Sequence, residues 1–198
     1  MSSLLEMLTQ QLGSDQRLGK LSGQIGADQA ATKNAVGAAL PVLLGALARN
    51  SSQPQGAEAL DRALSKHDGA ILNNLDGFLD KPDVTDGNGI LGHLLGAKRN
   101  AVESGIGKAS GLDPAMITKL LPMLAPVVLG AVGQQKRQQG LNAGSLASLL
   151  GAEQQTVERS NPAMGMLGKL LDQDGDGSIV DDIAGMGKGL LGGLFGRK

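Results

Sequence analysis

The segment Pro41-Val42-Leu43-Leu44-Gly45-Ala46-Leu47 returns later in the chain as Pro126-Val127-Val128-Leu129-Gly130-Ala131-Val132. A proline at the head of an apolar run limits how a helix can pass through it, and a glycine inside the run lets another backbone come close. Further matches follow in the same order. Ser22-Gly23-Gln24-Ile25-Gly26-Ala27-Asp28 resembles Ser110-Gly111-Leu112-Asp113-Pro114 with a small gap. Leu60 and Leu64 correspond to Leu146 and Leu150, and Asp86-Gly87-Asn88-Gly89 falls opposite Asp174-Gly175-Asp176-Gly177. Order is shared as well as composition, which points to duplication of a unit of roughly 85–90 residues. Chance similarity between segments rich in Ala, Gly and Leu is the alternative. On the duplication reading the fold is all-α: a helical bundle built from two degenerate repeats, residues 1–105 and 106–198.

Local signals agree with helix. Leu4, Leu5, Leu8 and Leu12 follow helical spacing. Asp113-Pro114 is a start signal, with Asp as N-cap and Pro in the first turn. Pro122 and Pro126 each remove a backbone donor, which predicts a short helix, a kink or break, and a second helix over about 126–138. In the first half, Gly37 stands where Pro122 does and Pro41 where Pro126 does. Residues 50–55 and 134–140 are polar and read as loops or frayed ends; 60–64 and 146–150 read as the next helices. No segment shows sustained β-branched alternation, so no sheet is expected. The core must be aliphatic: Trp and Tyr are absent, the only aromatics are Phe78 and Phe195, and 31 glycines favour close helix approach.

Several function classes are disfavoured by the residues. A net charge of −1 supplies no overall attraction to nucleic acid or anionic lipid. Without cysteine there are no disulfides or thiolate metal sites, which fits a reducing, cytoplasmic setting. The N-terminus lacks the basic and apolar regions of a signal peptide. The most apolar stretch, 120–132, carries two prolines and reads as too short to span a bilayer. His67 and His93 stand in no H-x-x-x-H or H-E-x-x-H pattern and read as structural. No Gly-x-Ser-x-Gly elbow or Walker spacing appears, so the glycines of 185–189 read as packing or tail residues. No small-molecule substrate and no catalytic group is identified, and an enzyme is not expected.

The sharpest ligand signal is Asp172-Gln173-Asp174-Gly175-Asp176-Gly177-Ser178-Ile179. Calcium takes six to eight oxygens, and an EF-hand loop supplies them from positions 1, 3, 5, a carbonyl at 7, position 9 and an acid at 12, with Gly at 6 for the turn. Asp172, Asp174 and Asp176 fit the first three, Gly177 the turn, and the Ser178 carbonyl the next. Ile183 stands where the closing acid belongs; Asp181 and Asp182 come one or two residues early, so closure needs an altered loop over 172–182. Such a site is weak, on the order of 10⁻⁴ M. The competing reading is an acidic turn that caps the next helix. The matching segment at 85–89 lacks the first acid and reads as an empty loop that keeps the turn.

The Ser-Gly-x-(Ile/Leu) lead-in, the Leu-Pro or Ala-Pro followed by Val-(Leu/Val)-Leu-Gly, and the terminal Leu-Asp-x-Asp-Gly-Asp-Gly-Ser-Ile-Val-Asp-Asp-Ile together resemble the YidB-like bacterial family, a domain family of unknown function. The acidic motif is similar to dockerin-like and EF-hand-like loops. The resemblance covers most of the chain and implies a bacterial, all-helical protein. It carries no activity that could be transferred residue by residue.

The tail over 187–198 is apolar through Leu190, Leu191, Leu194 and Phe195, rich in glycine, and flanked by Lys188, Arg197 and Lys198. Three readings stand: packing within the protein or an oligomer, contact with a membrane surface, or disorder. The expectation is a non-enzymatic structural or interaction protein that binds itself or another protein and carries a weak calcium loop. The alternative is a peripheral membrane protein held by its tail.

Overall fold

The computed structural model describes residues 3–160. The chain divides into two compact units, Met1–Gln155 and Thr156–Lys198, and the first holds nearly all of the described residues. Its elements are α1 (Leu4–Leu12), α2 (Asp15–Ile25), α3 (Gln29–Ser51), α4 (Pro54–Leu64), α5 (Ala70–Asn73), α6 (Leu75–Asp80), α7 (Val84–Leu95), a 3₁₀ turn at Gly96–Lys98, α8 (Arg99–Ser110), α9 (Pro114–Gln139) and α10 (Ala143–Ser160), which runs into the second unit. Among the described residues there is no strand. The fold is all-α. The boundary expected at 105/106 falls inside α8.

The helices start where side chains can satisfy the free N–H groups of a first turn. Ser3 and Glu6 form a capping box on α1: the Ser3 hydroxyl accepts from the Glu6 N–H at 3.1 Å, and the Glu6 carboxylate accepts from the Ser3 N–H at 3.1 Å. Leu4, Leu8 and Leu12 then share the buried face of α1. Asp28 and Asp113 cap the two long helices, α3 and α9, accepting from Ala31 N–H at 2.8 Å and Ala115 N–H at 2.7 Å.

Each long helix is entered by the same device. Gly26 after α2 and Gly111 after α8 are left-handed, with φ of 75° and 77°. The N–H groups of Gly26 and Ala27 both donate to the Ser22 carbonyl; those of Gly111 and Leu112 both donate to the Gly107 carbonyl. This is a helix ending that favours glycine, since an L side chain in that conformation meets the carbonyl that follows. Ser22 and Gly107 hold the same place in the two turns, each supplying the carbonyl that accepts both bonds.

Helix α9 is the axis of the unit. Residues 120–133 are buried without interruption, because helices α1, α2, α3, α4, α5, α7 and α8 all pack against it or its neighbour α3. A helix apolar all round is stable only when enclosed on all sides. The break expected at Pro122 and Pro126 does not occur: α9 is one helix through both prolines. An interior proline costs about 3 kcal/mol. Each fully buried Leu, Val or Ile contributes about 1.5–3 kcal/mol, and the run from Leu120 to Val132 supplies many of them. Residues 134–139 likewise continue the helix as far as the left-handed Gly140.

The expectation that 120–132 is too short to span a bilayer is also corrected. The stretch belongs to a 26-residue helix, about 39 Å long at ~1.5 Å per residue. Both α3 and α9 are long and apolar enough to cross a membrane by length and composition; 78% of the α9 window is buried inside the fold.

Candidate functional site

Asp172, Asp174, Asp176, Ser178, Asp181 and Asp182 lie outside the described residues, as does the tail over 187–198. The segment at 86–89, which the sequence alone sets opposite them, is described, and it overturns one expectation. Asp86-Gly87-Asn88-Gly89 is not a loop but the opening of α7. Asp83 caps that helix, its carboxylate accepting from the N–H groups of Thr85 at 3.0 Å and Asp86 at 3.1 Å. Acid and glycine read as turn signals, yet here the acid one residue before the helix supplies the cap, and Gly87 is buried against the backbone of Pro122 on α9.

The packing of α7 on α9 leaves a cleft of about 270 Å³ beside this contact. Helix α9 contributes Thr118, Lys119, Pro122 and Met123 to its walls. Pro82, Val84 and Asn88 come from α7 and the residues leading into it, and Gln24 comes from the end of α2. Gln24 is held by its own amide, which donates to the carbonyls of Leu79 at 3.4 Å and Asp80 at 3.2 Å. Val84, 45% accessible, is the one exposed large apolar side chain among the described residues.

A polar network holds Asn88 and Thr118, two of the residues in the walls of the cleft. The Glu103 side chain on α8 is only 8% accessible. One of its oxygens accepts from Arg99 Nε at 2.7 Å, the other from the Thr118 hydroxyl at 2.8 Å. Arg99 in turn donates to the Asn88 side-chain oxygen at 2.7 Å. Asn88 donates to the Val84 carbonyl at 2.7 Å. A nearly buried carboxylate is costly unless paired and hydrogen-bonded, and here both oxygens have partners. Glu103 thereby ties α8 to α9 directly, and to α7 through Arg99.

Two other clusters brace the unit. Arg17 on α2 grips the Asp76 carboxylate on α6 at 3.4 and 3.2 Å. Lys20 reaches Asp80 at 2.9 Å. The hydrogen bond from Arg17 holds the Asp76 carboxyl below its ordinary value; partial burial opposes this, and the charges of Arg17 and Lys20 add to it. Elsewhere Lys136 lies 2.7 Å from Asp61, whose contacted oxygen has no other donor. His67 lies 3.7 Å from Asp86, and His93 stands exposed in the last turn of α7. Among the described residues no group of three or more His, Asp or Glu is placed to hold a metal ion.

Asn88, Arg99, Glu103, Thr118 and Lys119 were not singled out from sequence. Two signals were available: Arg99 and Glu103 are spaced for an ion pair on one helix face, and Thr118 stands four residues before Pro122. Neither says which partner lies across the helix interface.

Residues 6–135 match the family described as "Bacterial protein of unknown function (DUF937)". No curated protein matches the chain, and no solved structure matches it.

Proposed function

This chain belongs to the DUF937 family of bacterial proteins of unknown function, and on that premise we propose that it is a non-enzymatic protein-interaction module that binds through the α7–α9 cleft. The carrying observation is the content of that cleft. An exposed valine sits among proline, methionine and fixed amide and hydroxyl groups, and Lys119 is the sole ionisable side chain in the walls. Acid–base or nucleophilic chemistry needs at least two positioned groups. A volume of about 270 Å³ also lies below the ~300–1,000 Å³ of enclosed small-molecule pockets. An apolar centre with a polar rim is instead the makeup of a protein contact. The test is affinity capture from bacterial lysate, comparing the full chain with Val84→Asp, a surface change that leaves the core untouched. A partner retained by the wild type and lost with the variant supports the reading; equal capture by both removes the cleft from it.

Three finer points belong to the same proposal. The sequence motifs are read as those of YidB-like members, and the two long helices, each started by an Asp shortly after a left-handed glycine, as products of one duplication. The acidic loop is read as a weak calcium site through Asp172, Asp174, Asp176, the Ser178 carbonyl and Asp181 or Asp182. The setting is read as cytoplasmic, with the partner a second copy or another protein. Attachment to a membrane surface through residues 187–198 is the second reading, favoured by four large apolar residues set among three basic ones. Light scattering combined with liposome flotation on the chain with and without 187–198 separates the two. A change in mass supports assembly, and lost flotation at unchanged mass supports the membrane.

A further inference from the structure

We infer that the α7–α9 cleft takes a short, extended segment of a partner protein in which an apolar side chain lies beside a carboxylate. The inference rests on the interaction reading above and names its ligand chemistry. Three independent features of the cleft converge on it.

The first is a backbone acceptor. In an α-helix the carbonyl of residue 118 accepts from the N–H of residue 122. Residue 122 is proline and has no N–H, so the Thr118 carbonyl is without its helical donor on the wall where Thr118 and Pro122 both line the cleft. The same arithmetic frees the Pro122 carbonyl, because residue 126 is also proline. That second carbonyl is covered by the Cα of Gly87. Among the described residues no side chain, and no backbone N–H from outside α9, donates to the Thr118 carbonyl. A carbonyl left in this state is improved by a partner's N–H.

The second is charge. Among the described residues the Lys119 side chain makes no hydrogen bond and no ion pair. The other polar groups of the cleft are committed: Thr118 to Glu103 and Asn88 to Arg99 and the Val84 carbonyl. The pair of Arg99 with Glu103 balances its own charge. What remains uncompensated in the cleft is one ammonium, which a carboxylate complements.

The third is the apolar wall. Val84 is exposed beside Pro82, with buried Pro122 and Met123 at the base. A single aliphatic side chain laid there shields Val84 and covers the base. An N–H, an aliphatic group and a carboxylate within one cleft of this size describe two or three residues of extended peptide more closely than a nucleotide, a sugar or a lipid chain.

The experiment uses ¹⁵N-labelled full chain and a defined probe: a blocked five-residue peptide alternating leucine and aspartate, against the same peptide with asparagine. Amide shifts are followed at Val84, Asn88, Lys119 and Met123. The expected result is a localised shift with the aspartate peptide and binding weaker by about two- to fivefold with the asparagine peptide, the range of one exposed ion pair. Lys119→Gln, an exposed change, should bring the two peptides to equal affinity. Equal binding of both peptides by the wild type overturns the carboxylate preference while leaving the cleft as an interaction site. No shift at these amides with millimolar peptide overturns the inference; the lysate comparison with Val84→Asp then judges the broader reading by itself. Concentration-dependent shifts at the same amides without peptide would assign the cleft to a second copy and also overturn it.

Discussion

Gly87 on α7 lies so close to the carbonyl of Pro122 on α9 that a Cβ at position 87 would overlap it. The contact joins two irregularities. Pro126 deprives the Pro122 carbonyl of its helical donor, and Gly87 lets a Cα–H face approach the oxygen left behind. Two features that weaken helices locally, a proline pair and a buried helical glycine, thereby become one close interface.

Gly87→Ala is expected to destabilise the protein by about 2 kcal/mol. Overpacking costs about 1–3 kcal/mol, here at the upper end because the obstacle is backbone, and the better helix former returns about 1 kcal/mol. Gly89→Ala, on the same helix with nothing within 4 Å of the new methyl, should stabilise by about 0.5–1 kcal/mol. Urea denaturation of the two variants checks the contrast. Equal effects would mean that α7 does not sit on Pro122.

Gly111→Ala tests the turn into α9. Space is open around a methyl there, but φ is +77°, so the cost is conformational and should be about 1 kcal/mol. Gly111→Asn should recover part of it, because asparagine tolerates the left-handed region better. The midpoints of thermal unfolding rank the three proteins; alanine as stable as glycine would contradict the cap.

Glu103→Ala should cost about 2–3 kcal/mol, since it removes two charge-assisted hydrogen bonds and leaves the Arg99 guanidinium without its carboxylate. Thr118→Val should cost about 1 kcal/mol. The double variant should cost less than the sum, because both changes break the same bond. Additive losses in denaturant titrations would show that the two groups do not interact.

Asp76 sets a pH dependence. Its folded carboxyl titrates below the ordinary value of 3.8, so the unfolded chain binds the proton more readily. The contribution is therefore present above about pH 4 and is lost as pH falls through the folded value. The stability difference between wild type and Asp76→Asn should be constant near neutrality and shrink on acidification below pH 4. A difference that grew on acidification would reverse the assigned direction.

The acidic loop makes a prediction independent of the cleft. Calorimetry should register weak calcium binding, with Kd on the order of 10⁻⁴ M, lost in Asp174→Ala. No heat and no thermal shift at millimolar calcium would leave Asp172, Asp174 and Asp176 as a helix cap.

The sequence by itself determined the helical class and many helix boundaries, because these depend on groups a few residues apart. The spacing of Leu4, Leu8 and Leu12 and the Asp113-Pro114 start act within one or two turns, and both helices form where expected. Only the tertiary structure decided the continuity of α9. Locally, Pro122 and Pro126 argue for a break; the burial of residues 120–133 on every side outweighs that cost, and burial is a property of the surrounding helices. It also decided that 86–89 is helix, since the glycine that suggests a turn is the one that admits the Pro122 backbone. The cleft was illegible for the same reason. Asn88, Glu103 and Thr118 lie on three helices; Glu103 meets Thr118 directly and Asn88 through Arg99. What brings them together is the packing of α7 and α8 on α9, driven by apolar faces that carry no record of the polar groups placed at their edges.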